Sequence, residues 1–355
     1  MGFNSWLMQR LNLEKPLIVA PMAGGPSSPE LVAAASAAGA LGSMGAAYST
    51  PQAIVEFAAK VREYTDRPFA INLFAPHAQP TVSDAHIARA IAATRPYRAE
   101  LGLAQPTLSP PYEEDFIPQF EAVLRVKPAV LSFVFGLLPE VCVVAAKQHG
   151  IAVVGTATHP AEARALAKAG VDAIVLQGIE AGGHRGMFNA GDADPELLLA
   201  DVLKSCVSDI ELPLIAAGGL MTPGDVQAAL GGGAQAVQIG TAFLACREAG
   251  TSAPYKAKLL EADTRNTRTT RVFSGRLARG IENRFMAEME ARLEAVLPFP
   301  AQNKFTRDLR TASAAHGSSD FLSLWAGTGN GALWQGPARE VIEFLTKESK
   351  VSVLF

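Results

Sequence analysis

"IAVVGTATHPAEARALAKAGVDAIVLQG", residues 151–178, decides the fold. Two short runs rich in β-branched and apolar residues, 151–158 and 172–178, flank an alanine-rich stretch of helical periodicity. Pro160 at the first helical position, Glu162 in the first turn and a closing Gly170 mark where that helix begins and ends. The runs alternate little between apolar and polar residues, as strands buried on both faces do in parallel sheets. The stretch therefore predicts a strand, a crossover helix and a second parallel strand.

The same unit recurs on both sides. "SPELVAAASAAG" has Ser28 as N-cap, Pro29 at the first position, Glu30 in the first turn and a closing Gly39. "TPGDVQAALGGG" repeats the device with Thr222, Pro223 and Asp225. Candidate strands fall at 17–24, 41–46, 68–74, 129–136, 151–158, 172–178, 212–219 and 234–243. Eight β-α repeats predict an α/β chain folded as a (β/α)8 TIM barrel. An open doubly wound sheet is the alternative, but it seldom needs eight nearly uniform units.

The repeat is interrupted twice. A Pro-rich insertion at about 78–112, with an extra helix near 81–104, precedes a regular helix near 113–127. After residue 262 the β-α pattern stops. The expected organisation is a barrel over 1–262, a mostly helical lid or substrate subdomain over 263–335, and a closing segment over 336–355. A helix near 284–296 belongs to the second part, and an amphipathic helix at 337–348 to the third.

Composition narrows the class. Hydrophobic residues make up 49% of the 355 and charged ones 18%, which supports a large core and argues against bulk disorder. A net charge of −3 with no basic run gives no nucleic-acid footprint. Cys142, Cys206 and Cys246 are widely spaced and read as small buried residues of a reduced, cytoplasmic protein. No leader pattern opens the chain, and its apolar runs are far shorter than the ~20 residues of a membrane helix.

In such a barrel the active site lies at the C-terminal ends of the strands. The unusual residues of the first half gather there: Pro21 to Gly25, Asn72, Gly136, Thr156 to His159, Gln177 to Gly186, Ala217 to Gly219 and Gln238 to Thr241. "AAGGL" and "IGTAF" place glycines and the Thr241 hydroxyl after the seventh and eighth strands, where these barrels hold phosphate. FMN is the phosphate-bearing ligand that fits a mouth flanked by Gln177 and Gln238, whose amides can pair with the polar edge of a flavin. "GIEAGGHRG" then brings His184 across the mouth, with Gly182 and Gly183 allowing close backbone approach. Two roles stay open for Arg185: holding an anionic substrate, or pairing with Glu180 as a clamp. His77, His86, His149 and His316 read as loop or surface residues, and His159 as a helix cap.

These motifs, with "APMAGG", "FAINLFAP", "LSFVFG", "FSGRLARGIENRF" and "LWAG", resemble the nitronate monooxygenases, once called 2-nitropropane dioxygenases, and their class I branch in particular. The resemblance spans nearly the whole chain, and "EAGGHRG" is its most specific element. It implies noncovalent FMN and the oxidation of alkyl nitronates such as propionate 3-nitronate with O₂, by one-electron transfer to the flavin. It implies FMN contacts from Met22, Asn72, Gln177, Gly182, Gly219, Gln238, Ile239, Gly240 and Thr241, and His184 as the catalytic histidine. No metal is expected. The expected partners are the small nitronate and O₂, without nucleic acid or membrane, and a homodimer is one candidate assembly. Three positions depart from the class I pattern: Val134 in place of a histidine, Phe299 in place of a tyrosine, and Thr328 in place of a glutamine. Each removes a polar group, and the first two are expected to make the substrate pocket more apolar.

Two other activities compete. An NAD(P)H-dependent flavin reductase of a quinone or enoyl thioester could use the same barrel. A non-redox isomerase or lyase for a sugar phosphate would want catalytic Lys or Asp at the C-terminal strand ends, and neither is found at those ends of strands one to six.

Overall fold

The computed structural model describes residues 5–261 and 266–347. Eight parallel strands form one sheet: β1 (Leu17–Val19), β2 (Gly42–Gly45), β3 (Phe69–Phe74), β4 (Val130–Val134), β5 (Ala152–Ala157), β6 (Ala173–Gln177), β8 (Leu214–Ala217) and β9 (Ala236–Ile239). Their order is β1-β9-β8-β6-β5-β4-β3-β2. A parallel bridge between Ile18 and Leu41 joins β1 to β2 and closes the ring. The chain is a (β/α)8 barrel, not an open sheet. The strands are shorter than the apolar runs that announce them, because the runs lose residues at their starts in all but Leu17–Val19 and at their C-terminal ends in all but Phe69–Phe74, where the chain leaves the ladder to build the rim.

Helix starts follow the expected capping chemistry. Ser28 Oγ accepts from the Leu31 N–H ahead of Pro29–Ala37. Thr222 and Asp225 form a reciprocal capping box ahead of Pro223–Gly231. His159 occupies the N-cap position of Pro160–Lys168 without a side-chain cap bond. Its Nε2 lies 3.6 Å from Glu162 instead.

Side-chain alternation along the strands divides the barrel interior by height. Ile18, Leu41, Ala70, Val130, Ala152, Ala173 and Ile215 fill the lower part. The helix Trp6–Leu11 stops that end with Leu7, Met8 and Leu11. Two residues further along their strands, Asn72, Ser132 and Gln177 stand on the same inward face as Ala70, Val130 and Val175. The barrel is thus apolar at its floor and polar toward its mouth. Cys142, Cys206 and Cys246 are buried and unpaired.

Two features escape sequence patterning. Gly183–His184 forms a two-residue strand, β7, which pairs antiparallel with β11 (Ala278–Ile281), and β11 pairs with β10 (Thr267–Thr270). A second sheet therefore crosses the region expected to be mostly helical, whose described helices are Arg284–Glu290, Ala301–Phe305 and Arg307–Ala315. The insertion helix, Asp84–Glu100, shares a hydrophobic cluster with that region through Tyr97, Phe273, Phe285 and Phe321. The last described helix is Ala338–Leu345, and the rest of the closing segment, from residue 348, lies outside the described residues. Among the described residues no helix is long and apolar enough to cross a membrane.

Candidate active site

The loop after β6 is built around Gln177. Its Oε1 accepts from the Gly186 N–H at 2.8 Å and from Arg185 at 3.0 Å, and its Nε2 donates to the His184 carbonyl at 3.0 Å. Both Oε1 lone pairs are committed, and one N–H of the amide remains. Arg185 is buried and does not pair with Glu180. It forms an ion pair with Asp194 at 2.6 Å and donates to the carbonyls of Gln177 and Gly178. Glu180 instead accepts from the Leu199 N–H. Arg185 is thus the clamp foreseen as one of its two roles, with a different carboxylate.

This clamp and the β7–β11 pairing set His184 in an aromatic cage. Its ring centroid lies 5.8 Å from Phe135, 6.2 Å from Phe299, 6.5 Å from Phe74 and 5.6 Å from Trp325. Its Nε2 lies 2.9 Å from Ser274 Oγ. Burial, with the nearby positive charges of Arg276 and Arg310, pulls its pKa down to about 3. The imidazole is neutral at pH 7.

Arg276 is the stronger of those two influences. It is 6% exposed, and its guanidinium carbon stands 3.8 Å over the Phe135 ring. It donates to the carbonyls of Met187 and Phe188, while its Nε has no hydrogen-bond partner. Burial lowers its pKa to about 10, so it remains charged. Arg310 donates to Asn303 and Thr306. Among the described residues neither guanidinium has a carboxylate within ion-pair distance. The cage therefore combines apolar walls with positive charge that no carboxylate contacts directly, Glu162 and Asp308 acting on it only from further away.

The remaining expected residues surround the mouth. Asn72 donates to Ser132 Oγ at 3.0 Å. Gly219 adopts φ +70°, a conformation that L side chains resist. The backbone N–H groups of Gly219, Gly240 and Thr241 take no part in the backbone hydrogen bonds of the surrounding turns. Gly240 follows Gln238 and Ile239 off β9, and a Cβ there would stand 3.7 Å from Met22 Sδ. Thr241 opens a three-residue 3₁₀ turn, and its Oγ1 accepts from the Gly327 N–H at 3.0 Å. Gly182 packs so closely that a Cβ would meet Ala326 C and Gly327 N at 2.5 Å.

The three departures fall in different settings. Phe299 lies in the cage. Val134 lines β4 beside Gly186, where its Cγ2 would be 3.1 Å from an added Cβ. Thr328 is exposed, and its N–H donates to the Glu180 carbonyl at 3.0 Å.

Several residues here went unread in the sequence: Phe74, Phe135, Ser274, Arg276, Arg310 and Trp325. "FSGRLARG" was the available signal, since a serine and an arginine flank a glycine with φ +83°. His77, read as a loop residue, sits 5.3 Å from the Phe299 ring with Nε2 3.0 Å from Glu113.

Comparison with known proteins agrees with this geometry. The family model described as nitronate monooxygenase matches residues 5–348. A probable nitronate monooxygenase of Bacillus subtilis is 38% identical over 326 residues, covering 91% of this chain and 92% of the relative. One from Staphylococcus haemolyticus is 36% identical, covering 92% of each. Among solved structures, the nitroalkane oxidase of Streptomyces ansochromogenes superposes with a TM-score of 0.88 at 34% identity, covering 96% of both chains. FabK from Thermotoga maritima gives 0.73 at 25% identity, covering 96% of this chain and 94% of that one. The barrel, the cage about His184 and these relatives together place the chain in the nitronate monooxygenase family, as one of its oxidoreductases.

Proposed function

We propose that this enzyme binds FMN at the barrel mouth and oxidises alkyl nitronates with O₂. The observation that carries the reading is the cage: a neutral imidazole among four aromatic rings, with the Arg276 charge buried beside it. Such a site attracts an anion and keeps water away from it. A nitronate is an anion with a short apolar tail and suits both properties.

The residues present fit the flavin. Unengaged N–H groups at Gly219, Gly240 and Thr241 suit a phosphate, and the missing Cβ atoms leave room for backbone to approach it. The inward polar groups Asn72, Gln177 and Gln238 suit the polar edge of the ring system, with Met22, Gly182 and Ile239 completing the surround. When bound, FMN would supply the electron acceptor. The chain's own residues do the rest. The two guanidiniums draw in the nitronate, the aromatic walls hold its alkyl part, and His184 orients its reacting end.

The test is direct. The purified protein should be yellow and release FMN on denaturation, and alkyl nitronates should drive O₂ consumption. A protein that ignores nitronates but oxidises NADH would replace this reading with a reductase. A colourless protein that takes up no added FMN would remove the cofactor from it.

A further inference from the structure

The hydroxyl of Ser274 has three polar neighbours. It accepts from the Arg276 N–H at 3.2 Å, lies 3.0 Å from the Arg276 carbonyl oxygen and lies 2.9 Å from His184 Nε2. A hydroxyl has one proton and two lone pairs. The Arg276 N–H can only donate and takes one lone pair. The Arg276 carbonyl can only accept and takes the proton. Only a lone pair is left for His184, so Nε2 must carry a hydrogen and donate it. The reverse arrangement would turn the proton to the imidazole and deprive the carbonyl of its donor. Ser274 and Arg276 are 1% and 6% exposed, so water is a poor substitute.

We propose that Ser274 is a positioning residue that fixes His184 as its Nε2–H tautomer, leaving an unprotonated Nδ1 for the substrate. Among the described residues nothing donates to or accepts from that Nδ1. The ring is neutral until a substrate gives it a proton, so the tautomer decides what it can do. A bare Nδ1 accepts a proton and cannot donate one to a nitronate oxygen.

On the reading of the site given above, this adds to the nitronate a second species that the site can take in and convert to it, the neutral nitroalkane. Its α-C–H bond breaks, the proton passes to Nδ1, and the electron pair moves into the nitro group to give the nitronate. The imidazolium so formed keeps its Nε2–H on Ser274. Its new Nδ1–H then faces the nitronate oxygens as a donor. The serine thus lets one ring serve as acceptor first and donor afterwards.

The experiment is ¹⁵N NMR of the enzyme with its bound cofactor, labelled in the imidazole nitrogens, at pH 7. The signals missing from the His184→Asn variant identify the residue. We expect Nε2 protonated and Nδ1 bare in the unsubstituted enzyme. Ser274→Ala should abolish that preference, and Ser274→Thr should restore it. The ratio of nitroalkane to nitronate turnover should fall about tenfold or more in Ser274→Ala and recover in Ser274→Thr, a part of what a positioned base supplies. A protonated Nδ1 in the unsubstituted enzyme overturns the assignment without any variant. So does a Ser274→Ala protein that folds and keeps both tautomer and ratio. If neither compound is turned over yet the tautomer still depends on Ser274, the assignment stands and the functional reading fails.

Discussion

Arg185 and Asp194, nine residues apart on the loop after β6, form an ion pair at 2.6 Å with side chains 1% and 4% exposed. Burial opposes the Asp194 charge, but hydrogen bonds from Arg185 and the Glu196 N–H outweigh it and hold its pKa below the ordinary value. The pair shares Arg185 with Gln177, whose amide grips the backbone on both sides of the arginine. Asp194→Asn would leave a buried guanidinium without its counter-charge. The expected loss is about 3–5 kcal/mol of stability, read from the denaturant midpoint. An unchanged midpoint would show that the loop does not depend on the clamp.

His184→Asn keeps a polar side chain of similar reach and removes the proton-accepting ring. The variant should retain its flavin and lose about 10²–10⁴ of its turnover. Absorbance of the purified variant and nitroalkane-driven O₂ uptake check the two halves separately. Full turnover would take His184 out of the chemistry.

Phe299 places an apolar edge against His184 and His77, where class I relatives are expected to carry a tyrosine. The specificity constant kcat/KM should rise with the alkyl length of the nitronate, up to about tenfold per methylene, until the cage is filled. Phe299→Tyr should flatten that series. A flat series in the unsubstituted enzyme would place the alkyl chain outside the cage.

The depressed pKa of His184 also sets a pH dependence. An unfolded histidine titrates near 6.5, and the folded one at about 3. Between those values the unfolded chain binds the extra proton. The stability tied to neutral His184 is thus fully present above pH 6.5 and is lost progressively as pH falls toward about 3. Denaturant midpoints of the enzyme and of His184→Asn, compared from pH 7 to 4, should show the enzyme losing ground to the variant. A constant difference would mean that the folded ring titrates normally.

The barrel was legible because its signals are local. Ser28, Thr222 and Pro160 each act within a few residues, and β-α alternation needs only a short window to be seen. His184 was legible because its glycines mark a rim loop. The clamp partner was not, since Glu180 and Asp194 are equally plausible until the loop closes on itself. Ser274, Arg276 and Trp325 reach the imidazole through pairings across long stretches of chain, which no periodicity records. The β7 strand has two residues, too few to show any alternation.

The pairing of Gly183–His184 with β11 has a consequence for how the enzyme is made. The eighth barrel strand, Ala236–Ile239, precedes in the chain the serine and arginine that complete the histidine's surroundings. The strands of the barrel and the completion of the histidine's site are thus encoded in succession along the chain. A nascent chain can be compact around its floor helix and still inert, because the last instruction for its chemistry arrives after the scaffold is complete.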